Sequence, residues 1–198
     1  MDVSPVPVAQ PRRSFRWWIL GAVLVGGLVS LFACAIIGFG ALALLGEEVE
    51  PTVITASDRQ SQITVPTDWR SQEDLHDEAE IQAGNLRQEQ YMIVLTENKS
   101  DFVDTDLERY GEIVSEALVE NTETDKLPET KSMTVNGRPA IQYKISGTVD
   151  NVKVVYWLTA VEGSKNYYQV LAWTLASKAE QNEPILQKVT ESFQELSQ

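Results

Sequence analysis

Between Ile19 and Leu45 the chain runs for 27 residues without a charge, an Asn, a Gln or a Pro. A helix over such a stretch satisfies every backbone polar group internally, and at about 1.5 Å per residue it outruns a hydrocarbon core of about 30 Å. The pattern predicts a transmembrane helix over 17–45, tilted or with its ends in the interface. Beyond it the period of apolar positions changes repeatedly, as in a folded domain.

Gln62 to Pro66 alternates and ends in proline, which predicts a first strand, with Trp69 in the turn after it. Ala79 to Ala83 reads as a second strand, with Gly84 and Asn85 turning the chain. Leu86 to Glu97 alternates with apolar residues on both faces, so it predicts a long strand covered on both sides. From Asp104 the period lengthens: Leu107, Tyr110, Val114, Ala117 and Leu118 fall at steps of three and four. An amphipathic helix of about four turns is expected, with Thr105 and Glu108 as its capping box.

A meander follows. Thr130 to Val135 is a strand, Asn136-Gly137 is a two-residue hairpin signal, and Arg138 to Val149 returns with Ile141, Tyr143 and Ile145 on one face. Asp150-Asn151 turns the chain again into 152–162, too continuously apolar for a strand with a wet face. Residues 163–166 form the last hairpin, and 167–175 the last strand. Ile185, Val189 and Phe193 then mark a closing helix. Its start is open between a Ser177–Glu180 capping box and Asn182 as the cap. The second places Pro184 in the first turn and is cheaper by up to about 3 kcal/mol.

Four regions result: a tail at 1–16 too rich in proline to bury a core, the transmembrane helix, a linker over 46–60, and a domain over 61–198. Strands, helix, meander and helix in that order predict an α+β fold, a mostly antiparallel sheet with helices packed on it.

Charge adds orientation. The total is -13, of which residues 1–45 contribute +2, leaving -15 for 46–198. Arg12, Arg13 and Arg16 precede the span, and Glu47, Glu48 and Glu50 follow it. The positive-inside rule places the N-terminus in the cytoplasm and the large domain outside it, in a periplasm, a lumen or the exterior. An acidic domain without a Lys/Arg cluster opposes phosphate backbones, so nucleic acid is excluded as an expected partner.

The candidate chemistry is sparse. Ala22, Gly26, Ser30, Cys34 and Gly38 recur every four residues and form a ridge of small side chains, a candidate packing face for self-association or for docking to a membrane protein. Cys34 is the chain's one cysteine, so no intrachain disulfide can form. Leu31-Phe32-Ala33-Cys34 is a poor lipidation site because Phe32 fits badly and the apolar run continues beyond it. A cleavage site at Ala41-Leu42-Ala43 sits after an apolar region longer than that of a signal peptide.

His76, the only histidine, lies among Glu73, Asp74, Asp77 and Glu78, where a solvated loop is expected in preference to a cation site. No cofactor, metal or catalytic residue is assigned. A hydrolase would need a base beside a nucleophile, and the chain offers no Gly-x-Ser-x-Gly turn. Tyr167, Tyr168 and Trp69 are aromatic candidates for a binding surface, although strand aromatics more often fill cores.

Together Ile63-Thr64-Val65-Pro66-Thr67-Asp68-Trp69, Glu89 to Val94 with Asp101-Phe102, Val135 to Ala140, Tyr167 to Val170 with Trp173-Thr174, and Glu191-Ser192-Phe193 resemble the PsbP/DcrB/Mog1-like superfamily. The resemblance covers about 60–196. It implies an α-β-α sandwich and a noncatalytic accessory, binding or assembly role, as in a lumenal photosystem II subunit and bacterial envelope lipoproteins. The chain departs from that pattern in having a membrane helix where a lipobox would stand. The function expected is a membrane-tethered binding or accessory module that contacts an envelope protein or a small ligand. A hydrolase, or a structural envelope protein, is the alternative.

Overall fold

The computed structural model describes residues 51–196. The stretch over 17–45 read as a transmembrane helix, and its ridge of small residues, lie outside them. Among the described residues no helix is long and apolar enough to cross a membrane.

A seven-stranded antiparallel sheet forms the centre. Its strands are β3 (Arg70–Ser71), β4 (Ile81–Asn85), β5 (Gln90–Asn98), β6 (Glu129–Val135), β7 (Arg138–Val149), β8 (Val152–Glu162) and β9 (Asn166–Leu175). They stand in the order β3-β4-β5-β9-β8-β7-β6. The apolar strands β8 and β9 are central, which is why their sequences do not alternate with polar residues. A second sheet, ordered β1-β2-β10, is built from β1 (Thr52–Thr55), β2 (Ser61–Val65) and β10 (Gln194–Glu195).

The pleat sends alternate residues to opposite faces, so the domain has two cores. On one face Tyr91, Ile93, Leu95, Tyr143, Ile145, Tyr156, Leu158 and Leu171 pack beneath Tyr110, Val114 and Leu118 of helix α1 (Leu107–Glu120). On the other face Met92, Val94, Trp157, Val161, Tyr168 and Val170 pack against Leu186 and Val189 of helix α2 (Ala179–Glu191) and against Ile63 and Val65 of the small sheet. The α+β arrangement with helices on both sides of the sheet is the one anticipated.

The first two hairpins of the meander close through left-handed pairs: Asn136 (φ 46°) with Gly137 (φ 77°), and Asp150 (φ 49°) with Asn151 (φ 66°). Two positive φ values define the tight turn whose twist matches the strands it joins. Arg138–Val149 therefore begins and ends, and Val152–Glu162 begins, where the turn chemistry puts them.

Five local expectations are corrected. The folded part begins before Ser61, because β1 lies in the segment read as linker and pairs with β2 from Thr52 opposite Val65 to Thr55 opposite Gln62. The hairpin between β4 and β5 turns at 86–89 instead of Gly84-Asn85. Gly84 belongs to β4, where a Cβ would stand 2.5 Å from the Gln90 carbonyl oxygen. The Asn85 side chain makes the turn by accepting from the backbone N–H of Arg87 and of Gln88.

Asp106, not Thr105, caps α1 by accepting from the Arg109 N–H at 2.9 Å. Neither proposed cap starts α2, which begins at Ala179 with Pro184 inside it. Pro184 forfeits the bond to the Glu180 carbonyl, but both residues are exposed and water can take that carbonyl. Asn182 is withdrawn from capping because its side chain is buried in the tertiary structure. Finally, His76, expected in a solvated loop, is 4% exposed.

Candidate functional site

A cluster of polar and charged side chains lies where α2 meets β6 and β7. Along β7 the α1 side reads Ile141, Tyr143, Ile145, whereas the α2 side reads Gln142 and Lys144. On α2 the apolar stripe Leu186 and Val189 faces the core, while Glu183, Gln187 and Glu191 recur every four residues along the flank toward β6. Between α2 and β6 lies an open groove of about 310 Å³ with Trp157, Gln142 and Lys144 as its floor, α2 as one wall and Glu129, Thr130 and Lys131 of β6 as the other.

The floor is held by a paired network. Lys144 Nζ stands 2.9 Å from Glu183 Oε2 and 5.3 Å from the centre of the Trp157 ring. Trp157 Nε1–H donates to Glu183 Oε1 at 3.1 Å. Gln142 and Gln187 exchange amide hydrogen bonds of 3.1 and 2.8 Å, and Gln142 Nε2 also donates to Thr159 Oγ1 at 2.9 Å. Glu183 and Lys144 retain about a third of their side-chain exposure, so the pair is wet and its net worth small. Its effect is geometric: it fixes carboxylate, ammonium and amides on a rigid floor. Three glutamates and two lysines line the groove, an excess of one negative charge.

A second, narrower cleft opens beneath α1. Its volume is about 40 Å³, lined by Ile93, Leu95, Val114, Leu118, Leu158 and Leu171 with His76 and Gln169 as its polar members. That volume holds a water molecule or two, not a substrate. His76 Nδ1 accepts from the Glu78 N–H at 3.2 Å, which places the ring proton on Nε2. Burial lowers the His76 pKa below its usual value against the opposing pull of Glu78 and Asp77. The loop carrying His76 is stapled to β4 by Gln82, whose side chain accepts from the N–H groups of Leu75 and His76 and donates to the His76 carbonyl. Among the described residues no three His, Cys, Asp or Glu side chains gather as metal ligands do.

The aromatic candidates are not surface groups. Trp69, Tyr167 and Tyr168 are 1%, 2% and 0% exposed. Trp69 Nε1–H donates to Gln90, and Tyr167 stacks on Tyr110 with ring centres 4.3 Å apart while donating to the Thr105 carbonyl. They pack the two cores, and no binding contact can run through them as they stand. The groove residues were not singled out by sequence. Their signal was present: Gln142 and Lys144 are polar positions on a strand whose neighbours imply cover on both faces.

No protein-family model matches the chain, and no curated protein matches it in sequence. Solved structures match its fold. The cyanobacterial PsbP of Synechocystis sp. PCC 6803 superposes with a TM-score of 0.53 at 12% identity, covering 84% of this chain and 99% of that one. The Saccharomyces cerevisiae Ran-binding protein Mog1p gives 0.52 at 15%, covering 74% and 95%. LpqN of Mycobacterium tuberculosis, described as involved in cell envelope biogenesis, gives 0.51 at 13%, covering 73% and 89%. At these identities the likeness establishes a PsbP/Mog1-like fold and nothing about activity.

Proposed function

We propose that the chain is a noncatalytic binding or accessory module, tethered by the helix over 17–45, whose acidic domain stands outside the cytoplasm and receives a protein partner along the groove between α2 and β6. The groove carries this reading: it is open, polar and rigid-floored, the form of a contact surface for a neighbouring chain, whereas small ligands are held in enclosed apolar pockets. The 40 Å³ cleft under α1 gives a small ligand little room. A hydrolase reading has less support, because the single histidine is buried and spends its acceptor nitrogen on a backbone amide. The yeast neighbour is named for binding Ran, so the fold is compatible with protein recognition.

The tether rests on the uncharged run of 27 residues and on the arginines before and glutamates after it. The ridge of Ala22, Gly26, Ser30, Cys34 and Gly38 is the surface for helix association within the bilayer.

A photocrosslinking residue at Gln187 or Lys131 of the full chain in native membranes tests the contact. Discrete adducts at both positions, absent at Arg87 in the β4–β5 turn and lost on Glu183→Lys, are expected. Adducts equal at all three positions, or none, would remove the groove from consideration. Protease added from outside should digest the C-terminal domain. Protection of that domain with cleavage of the arginine-bearing tail refutes the tether. Gly26→Leu with Gly38→Leu should weaken association in a membrane two-hybrid reporter; an unchanged signal rejects the ridge.

A further inference from the structure

The outer edge of β6 closes the seven-stranded sheet on one side, and among the described residues nothing pairs with it. Glu129 to Ser132 are exposed along its length. The Asn136-Gly137 turn makes Val135 and Arg138 the hydrogen-bonded pair flanking a two-residue loop, so hydrogen-bonded pairs with β7 recur at Met133, Lys131 and Glu129. Pro139, which has no N–H, falls opposite Thr134 at a position that needs none. Thr130, Ser132 and Thr134 therefore point their N–H and C=O groups outward, the unpaired template that edge strands present.

We infer that this edge docks the same edge of a second copy, antiparallel and centred on Thr130. That register is self-complementary. Thr130 meets Thr130 of the second copy and exchanges two hydrogen bonds, while each Ser132 N–H reaches the other copy's Pro128 carbonyl. Glu129 falls opposite Lys131 twice, giving two cross-strand ion pairs on the α2 side of the joined sheet. Leu127 falls opposite Met133. Leu127 is 92% exposed, the most exposed large apolar side chain among the described residues, and Met133 is half-buried against the α2-side core. The residue before a proline prefers extended backbone, so Leu127-Pro128 can continue the strand by the two residues this register needs.

The rival register centred on Ser132 offers six hydrogen bonds but sets Glu129 against Val135 and Lys131 against Met133, so it forms no directly opposed ion pair. Charge complementarity selects the first. The edge shares Glu129, Thr130 and Lys131 with one wall of the groove and is separate from the membrane ridge. One strand from each side is a small interface, so the dimer is weak, of the order of 10⁻⁴ M in dissociation constant.

The test uses the full-length chain in detergent with Cys34→Ser as background. Opposed residues at a non-hydrogen-bonded pair have Cα atoms about 4.5 Å apart, within disulfide reach. A mixture of Leu127→Cys and Met133→Cys chains should form the mixed disulfide at least tenfold more than either variant forms with itself. Glu129→Lys and Lys131→Glu, both at exposed sites, should each lower that yield about tenfold, and the two together should restore it to within threefold. Thr130→Pro, at a site with no bond to β7, should abolish it.

Equal yields in all mixtures, or no rescue in the double charge reversal, would overturn the inference. So would a mixed disulfide that never forms up to millimolar protein. Association by the membrane helix alone, or occupation of the edge by residues 1–50 or another protein, would give one of those results.

Discussion

Asn182 provides the sharpest test of how the two sides of the sheet are joined. It is 1% exposed, and its side chain accepts from Gln90 Nε2 at 2.9 Å while donating to Thr174 Oγ1 at 2.8 Å and to the Gln88 carbonyl at 2.9 Å. Gln90 in turn accepts from Trp69, so one amide ties α2 to β9, to the β4–β5 turn and to the loop after β2. Asn182→Ala removes three hydrogen bonds at once. The Gln88 carbonyl lies at a turn where water can replace the lost donor. The Gln90 amide and the wholly buried Thr174 hydroxyl keep no such recourse.

Two buried polar groups left without partners cost about 1–3 kcal/mol each. The gain in helix propensity returns roughly half a kcal/mol, so the net loss is about 1.5–5.5 kcal/mol. In a domain whose total stability is of the order of 5–15 kcal/mol, that is a large fraction. Urea unfolding of residues 46–198, followed by the fluorescence of Trp69, Trp157 and Trp173, measures it. The slope with denaturant should not change, and in a Thr174→Val background the loss should shrink by about 1 kcal/mol because one stranded group is already gone. A loss under about 1 kcal/mol, or one no larger than that of Gln187→Ala in the wet groove, would refute the reasoning.

Three further outcomes follow from the structure. Gly111→Ala should destabilise by about 1–3 kcal/mol despite its better helix propensity, because the new Cβ would stand 2.6 Å from the Tyr143 hydroxyl oxygen; a rise in melting temperature would contradict the close approach of α1 to β7. His76 has a folded pKa lowered by burial, so the unfolded chain binds the extra proton first, and stability present above the ordinary value of 6.5 is lost as pH falls through it toward the folded value. His76→Leu should flatten that acid limb in urea titrations from pH 7.5 to 5, and an unchanged limb would show the ring to be solvated. Tyr156 is pushed up to about 12 by burial first and Asp150 second; with the folded value raised, its contribution is complete below pH 10 and declines above it, and Tyr156→Phe should reduce the alkaline loss seen by circular dichroism.

Much of the fold was legible because it is local. Asn136-Gly137 and Asp150-Asn151 can adopt two successive positive φ values at little cost, so both ends of β7 and the start of β8 follow from residue chemistry alone. The continuous apolar run of β8 has no stable place except between other strands. The period of three and four in α1 needs only one apolar stripe to specify a surface helix. The uncharged run from Ile19 to Leu45 is likewise a statement about solvation that requires no fold.

What tertiary structure decided are the places where a residue's local preference lost to a distant partner. Asn182 looks like a helix cap, but Gln90 and Thr174, remote in sequence, draw its amide into the core. Gly84 looks like a turn, yet the backbone of Gln90 passes too close for any side chain there. Thr52–Thr55 looks like a linker until β2 supplies its hydrogen bonds. The groove belongs to the same class: Gln142 and Lys144 acquire meaning only once Glu183 and Gln187 of α2 stand beside them, because a polar pair on a strand is solvated or buried according to what packs above it.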